Sequence, residues 1–134
     1  MAIFYLKLYA LTVPIFFIID MLWLGVIAKE FYRRQLDFIL SPQVNWTAAV
    51  IFYFIYIAGI LFFAVRPAVN NNSWGQAAVL GALFGFFTYA TYDLTNLATI
   101  KNWPLAIVVV DILWGVCLCM LVALLSFAIS KWLN

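Results

Sequence analysis

The sequence predicts an all-α, polytopic membrane protein: a bundle of four transmembrane helices with a short interfacial amphipathic helix between the first two. Hydrophobic residues make up 69% of the 134 residues and charged residues only 9%, with a mean hydropathy of +1.11. A soluble domain is about 45–50% apolar and about 25% charged. A chain of this length cannot hide so much apolar surface in its own interior. Lipid is therefore the expected solvent for most of it.

Four apolar stretches have the length of about 20 residues that a helix needs to cross the hydrocarbon of a bilayer. The predicted spans are residues 8–28, 46–65, 77–100 and 104–130. Lys29, Arg66 and Lys101 mark the ends of the first three, and Pro104 occupies a favoured first-turn position of the fourth. We interpret the whole chain as one membrane domain. An even number of spans places both termini on the same side of the membrane.

The segment between the first two spans is neither apolar enough to cross a membrane nor polar enough for a plain loop. On a helical projection its side chains separate into two faces. The apolar face carries Tyr32, Leu36, Ile39 and Leu40, and the polar face carries Glu30, Arg33, Arg34 and Asp37. This pattern predicts a helix over residues 29–41 that lies in the membrane interface and ends at Ser41-Pro42.

Several functional classes are disfavoured by what the chain lacks. It has no histidine, which is the commonest metal ligand and the usual general base, so we expect neither a metal nor a cofactor. The net charge of +2 is too small and too scattered for a nucleic-acid partner. Cys117 and Cys119 point about 200° apart on one helix and cannot pair with each other.

Three aspartates, Asp20, Asp93 and Asp111, fall inside the predicted spans. A charged residue near the bilayer centre costs about 2.5–3.5 kcal/mol on insertion scales, so three of them need a reason. Asp20 is nine residues before Lys29, Asp93 is eight before Lys101, and Asp111 is eight after Trp103. At about 1.5 Å per residue, all three lie roughly 12–14 Å below the same membrane face. They are thus predicted to share one layer near the midplane.

Polar and aromatic side chains are predicted at the depth of this layer. They are Tyr53 on the second span, Tyr92 and Asn96 on the third, and Trp23 and Trp114 on the first and fourth. Asn96 follows Asp93 by three residues, and each tryptophan follows an aspartate by three, so each pair shares a helix face. A Gly81-x-x-x-Gly85 step allows a neighbouring helix to approach the third span closely.

No lysine or arginine lies at this depth to balance the carboxylates. Three like charges in a low-dielectric layer cannot all be ionised without compensation. The layer therefore takes up protons, holds a cation, or alternates between the two. The structural alternative is that all three carboxyls stay protonated and act as hydrogen-bond glue.

At these positions the chain resembles a family of small bacterial membrane proteins catalogued as domain of unknown function 2177. The resemblance covers nearly the whole chain and is most specific in the run Tyr89-Ala90-Thr91-Tyr92-Asp93-Leu94-Thr95-Asn96-Leu97-Ala98-Thr99. It also includes Asp20-Met21-Leu22-Trp23-Leu24-Gly25, Phe31-Tyr32-Arg33, Asn45-Trp46, Trp103-Pro104 and Asp111-Ile112-Leu113-Trp114-Gly115. The resemblance implies a four-helix protein of the bacterial inner membrane and no established activity.

Three functional hypotheses follow from the aspartate layer. The first is proton- or cation-coupled binding or transport of a small or lipophilic ligand, for which a homodimer is expected because four helices are few for a closed pathway. The second is a membrane-embedded enzyme that acts on a lipid or isoprenoid by aspartate acid–base chemistry. The third is a non-catalytic membrane subunit. Asp93→Asn is expected to abolish activity in the first two and to be tolerated in the third.

Overall fold

The computed structural model describes residues 1–134 as five helices without any strand. Four of the helices are long and apolar enough to cross a membrane. In chain order the helices are α1 (Ala2–Ile27), α2 (Lys29–Leu36), α3 (Trp46–Asn70), α4 (Trp74–Thr99) and α5 (Leu105–Leu133). The predicted fold class, an all-α polytopic membrane protein, is confirmed.

The long helices extend beyond the predicted spans, chiefly at the ends away from the α1–α2 connection. The α1 helix begins at Ala2 and α3 continues to Asn70, so each is several residues longer there than hydropathy alone suggests. Both helices also contain one wider π-helical turn, Trp23–Ile27 in α1 and Leu61–Val65 in α3. Such turns are frequent at functional sites, and the one in α1 begins at a tryptophan of the aspartate layer.

Glycines allow α4 and α5 to pack with their backbones almost in contact. A Cβ atom added at Gly85 would lie 1.9 Å from the carbonyl oxygen of Gly115, and one added at Gly81 would lie 2.7 Å from that of Cys119. The predicted close approach at Gly81 and Gly85 is confirmed, and its partner is α5. This crossing matters for the site because Asp93 lies two turns beyond Gly85 and Asp111 one turn before Gly115.

The α1 and α3 helices complete the bundle around α5. Fully buried apolar side chains of α1, α3 and α5 form the main core, among them Leu8, Ile57, Ile60, Leu118 and Val122. Within this core the hydroxyls of Thr12 and Ser126 are 2.9 Å apart, so a polar contact also joins α1 to α5.

The short helix α2 packs on the bundle. Leu36 is buried against Trp103, Ile107 and Val108 at the start of α5. The helix is shorter than predicted, because the backbone N–H groups of Ile39 and Leu40 both bond to the Leu36 carbonyl and close the helix in a turn. The side chains of Ile39 and Leu40 are therefore exposed instead of continuing the buried face. The packed face of α2 also carries Tyr32, which contacts Asp111.

Candidate carboxyl site

Asp20 is a buried carboxyl group that joins three helices. The Tyr53 hydroxyl of α3 donates a hydrogen bond of 2.6 Å to Asp20 Oδ2. The indole Nε1 of Trp114 on α5 donates one of 3.2 Å to Asp20 Oδ1. Both oxygens of this carboxyl group thus have a donor, although only 3% of the residue is exposed. Tyr53 and Trp114 were both predicted for the layer, and the structure brings them to Asp20.

Asp111 obtains its hydrogen bond from outside the four spans. The Tyr32 hydroxyl, on α2, donates to Asp111 Oδ1 and in turn accepts a bond of 3.1 Å from the indole Nε1 of Trp23. Burial, and secondly the hydrogen bond to Asp111, raise the pKa of Tyr32 above its ordinary value. Tyr32 therefore keeps its proton and remains a donor toward the carboxyl group.

In the two Asp-x-x-Trp segments, the tryptophan of each segment is linked by hydrogen bonds to the aspartate of the other. The indole rings of Trp23 and Trp114 stack with centroids 4.4 Å apart and planes 7° from parallel. Trp114, which follows Asp111 on α5, donates to Asp20 on α1. Trp23, which follows Asp20 on α1, reaches Asp111 through Tyr32. The repeat seen in the sequence therefore forms a reciprocal link between α1 and α5.

Asp93 differs from the other two aspartates because neither of its buried carboxyl oxygens has a hydrogen-bond partner. The residue is 0% exposed, and its polar neighbours are Asp111 and Trp103. The indole Nε1 of Trp103 is also buried without a partner. Asn96, the expected partner of Asp93, lies beside Tyr92 instead. Asp111, which accepts a hydrogen bond from Tyr32, and Asp93, which accepts none, are thus neighbouring carboxyl groups where α4 packs against α5.

The three carboxyl groups of the predicted layer are grouped into two sites. Asp20 forms one with Tyr53 and Trp114, while Asp93 and Asp111 form the other. No group of three or more Cys, Asp or Glu side chains is close enough together to hold a metal ion. The donors to Asp20 and Asp111 are tyrosine and tryptophan, and neither is a lysine or arginine. What the second site offers is a pair of interacting carboxyls.

A cavity of about 580 Å³ opens beside this carboxyl pair. It lies between α3 and α4 with one residue of α5 at its wall, and the lining residues are Phe52, Tyr56, Thr88, Tyr89, Tyr92 and Asp111. Asp111 is the one charged side chain among them. Phe52 is 55% and Tyr92 58% exposed, so two aromatic rings stand at the mouth of the cavity. Of the residues predicted for the site, Asp111 and Tyr92 line this cavity.

Tyr32, Trp103 and Phe52 are among the residues of the site that were not predicted from the sequence. Tyr32 was assigned only to the apolar face of an interfacial helix, although a tyrosine on a buried face needs a partner for its hydroxyl, and that requirement was a usable signal. Trp103 served only to mark the start of the fourth span. Phe52 carried no signal, because one phenylalanine among many in an apolar helix does not identify a cavity wall.

Comparison with known proteins gives one match. No curated protein and no solved structure matches the chain. The profile of a family described as "Predicted membrane protein (DUF2177)" matches residues 5–128, which include every residue of both carboxyl sites and of the cavity. The chain therefore belongs to this family of membrane proteins, domain of unknown function 2177.

Proposed function

We propose that the protein binds a lipophilic cation in the cavity beside Asp111, in competition with a proton taken up by the Asp93–Asp111 pair. The observation that carries this proposal is the position of Asp111 as the single charged group in an aromatic cavity. Competition between a cation and a proton for one carboxylate is the coupling on which proton-driven export depends.

The cavity lining is suited to an organic cation. Phe52, Tyr56, Tyr89 and Tyr92 contribute four aromatic rings. The face of an aromatic ring attracts a cation, by about 0.5–1 kcal/mol at exposed sites and about 2 kcal/mol when water is excluded. The lining contains no lysine or arginine that would repel the ligand. A weakly hydrated cation with apolar substituents satisfies both the rings and the carboxylate.

The two carboxyl groups of the pair have different roles. Tyr32 donates a hydrogen bond to Asp111, which favours the carboxylate form of Asp111. Asp93 accepts no well-formed hydrogen bond and lies beside Asp111, so we assign the shared proton to Asp93. The empty pair then carries one negative charge. A second proton, added at lower pH, neutralises Asp111 and removes the attraction for the cation.

Asp20 fits the structural role of hydrogen-bond glue. Both of its oxygens are already bonded, to Tyr53 and Trp114, and it does not line the cavity. We therefore take Asp111 in place of Asp93 as the decisive position for substitution, because Asp111 reaches the cavity and Asp93 is buried next to it.

Binding of radiolabelled tetraphenylphosphonium to the purified protein tests this function. As the pH is lowered into the range where the pair takes up its second proton, the dissociation constant is expected to rise about tenfold for each pH unit. Asp111→Asn is expected to abolish binding, whereas Asp37→Asn, the same change at an exposed acid, leaves it intact. Absence of binding by the wild type, or equal binding by Asp111→Asn, contradicts the proposal.

A second candidate is an enzyme acting on a membrane lipid or isoprenoid. The observation that favours it is the free Asp93 carboxyl next to Asp111, because an acid and a base side by side are what proton transfer to a substrate requires. A changed lipid or pigment profile in a deletion strain, restored by the wild type and not by Asp93→Asn, supports this candidate. An unchanged profile excludes it.

The cellular setting is part of the proposal. We place the protein in the bacterial inner membrane with both termini on one side, since the number of spans is even, and we expect membrane lipid around it. A homodimer is the proposed unit for transport, because the cavity of one subunit opens between its own α3 and α4 and does not cross the bundle.

A further inference from the structure

A polar stripe on α4 continues the wall of the cavity toward the end of the helix. Its members are Thr88, Tyr92, Thr95, Asn96 and Thr99. Relative to Thr88 they lie four, seven, eight and eleven residues on, which places them on one helix face. Thr88 and Tyr92 line the cavity, and Thr95 and Thr99 are exposed. The stripe therefore extends from the carboxyl site to the membrane surface marked by Lys101.

The opposite wall, on α3, is formed at the cavity by Phe52 and Tyr56, and the small residues Ala48 and Ala49 lie farther along the helix. Ala48 and Ala49 lie one and two turns before the cavity residues Phe52 and Tyr56. The α3 and α4 helices come together through Leu61–Val65, near the other end of α3. Away from that contact the two helices are apart, and we call the space between them, from the cavity toward Ala48 and Thr99, the slot.

The floor of the slot lies at a hydrogen bond between the two helices. The hydroxyl oxygens of Tyr56 and Thr88 are 2.7 Å apart there, at the level of the cavity. From this point the slot extends toward the membrane surface at the end of α4. Its length therefore joins the cavity to the headgroup region.

The α4 side of this slot is too polar to pack well against lipid acyl chains. Thr99 donates its hydroxyl to the Thr95 carbonyl at 2.7 Å, which leaves the lone pairs of its oxygen free to face a cationic head group. The Tyr92 ring is 58% exposed beside the half-buried Asn96 amide. Hydrocarbon offers no partner for the remaining polar atoms of this face, such as the Asn96 amide, so their exposure to acyl chains alone is unfavourable. A ligand with a polar end relieves that cost.

We infer that the ligand is an amphiphile with a cationic head group and a long apolar chain, and that it enters sideways from the bilayer through the slot between α3 and α4. The head group moves along the polar stripe to Asp111 while the chain remains in lipid. This inference rests on the proposed function, since Asp111 is its end point, and it adds the ligand class and the route of entry.

The test compares rates of capture of trimethylammonium diphenylhexatriene, a fluorescent lipophilic cation, by the protein in nanodiscs. Energy transfer from tryptophan to the probe reports binding. Thr95→Phe fills the slot with a ring, and the matched control Leu94→Phe adds a ring at almost the same depth on a different exposed face. Thr95→Phe is expected to slow capture and release alike, by about tenfold, with the dissociation constant unchanged; a tenfold change corresponds to about 1.4 kcal/mol of barrier.

The possible failures are distinguishable. If the wild type does not bind the probe, the proposed function fails, and the route with it. If the wild type binds the probe and Thr95→Phe retains wild-type rates, the route through the slot is wrong while the site at Asp111 stands. Should Thr95→Phe lower the thermal midpoint of unfolding, Thr99→Phe, at the outer end of the same stripe, replaces it with the same expected slowing.

Discussion

Replacing Gly85 by alanine tests whether the α4–α5 crossing sets the geometry of the carboxyl pair. The added Cβ would lie 1.9 Å from the Gly115 carbonyl oxygen. A C–H···O contact needs about 3.3 Å, so the two backbones must separate by roughly 1.4 Å. Overpacking of this kind costs about 1–3 kcal/mol. The substitution itself favours a helix by about 0.5–1 kcal/mol, which offsets part of that cost.

The matched control is Gly75→Ala on the same helix, where the only atom near the added Cβ is Ser73 Oγ at 3.8 Å. In detergent, we expect Gly85→Ala to lower the free energy of unfolding and Gly75→Ala to leave it unchanged or raise it. Asp93 lies two turns from the clash, so Gly85→Ala should also weaken binding of tetraphenylphosphonium. If both variants are as stable as the wild type, the backbone contact at this crossing is not as close as described.

Two further predictions use matched pairs within the chain. Trp114→Phe removes a donor to Asp20 and one ring of the tryptophan stack, whereas Trp103→Phe removes an indole N–H that lies near Asp93 without a well-formed hydrogen bond. Chemical denaturation should show Trp114→Phe to be less stable than Trp103→Phe by about 1–3 kcal/mol, and an equal loss would refute the Asp20 contact. Cys117 is exposed and Cys119 is fully buried, and both lie inside the fourth span, where a thiol has no water in which to ionise. Neither should react with a membrane-permeant maleimide in the lipid-embedded protein, whereas both should react after denaturation; mass spectrometry showing a label on the folded protein would contradict this.

The fold was predictable because its strongest determinant is local. Each span is a run of apolar residues long enough to cross hydrocarbon, and charged residues such as Arg66 and Lys101 end the runs. The outer ends were not predictable in the same way. The α1 helix continues outward past Lys7 to Ala2, because backbone hydrogen bonding extends a helix regardless of where the hydrocarbon ends.

The sequence predicted that the aspartates share a level, and it did not predict which helix each of them faces. Counting residues from Lys29, Lys101 and Trp103 placed three aspartates at one level, and the structure makes Asp93 and Asp111 neighbours. The count could not show that Asn96 turns toward Tyr92, because an i,i+3 spacing defines a helix face and does not identify the helix that covers it.

The tertiary partners of the aspartates depend on contacts between distant parts of the chain. The role of Tyr32 depends on α2 folding back onto α5, a contact between residues 79 positions apart. The cavity depends on the separation of α3 from α4, and no single residue encodes that separation. Sequence spacing within one helix therefore could not supply either feature.

The most direct test of the central claim is infrared difference spectroscopy of the carboxyl groups in the lipid-embedded protein. Tetraphenylphosphonium is added under mildly acidic conditions, and the C=O stretch of protonated carboxyl groups is recorded. We predict that binding removes the band of one protonated carboxyl in the wild type and in Asp37→Asn, and removes none in Asp111→Asn. A wild-type protein that binds the probe with no change in this band would contradict proton competition at the Asp93–Asp111 pair.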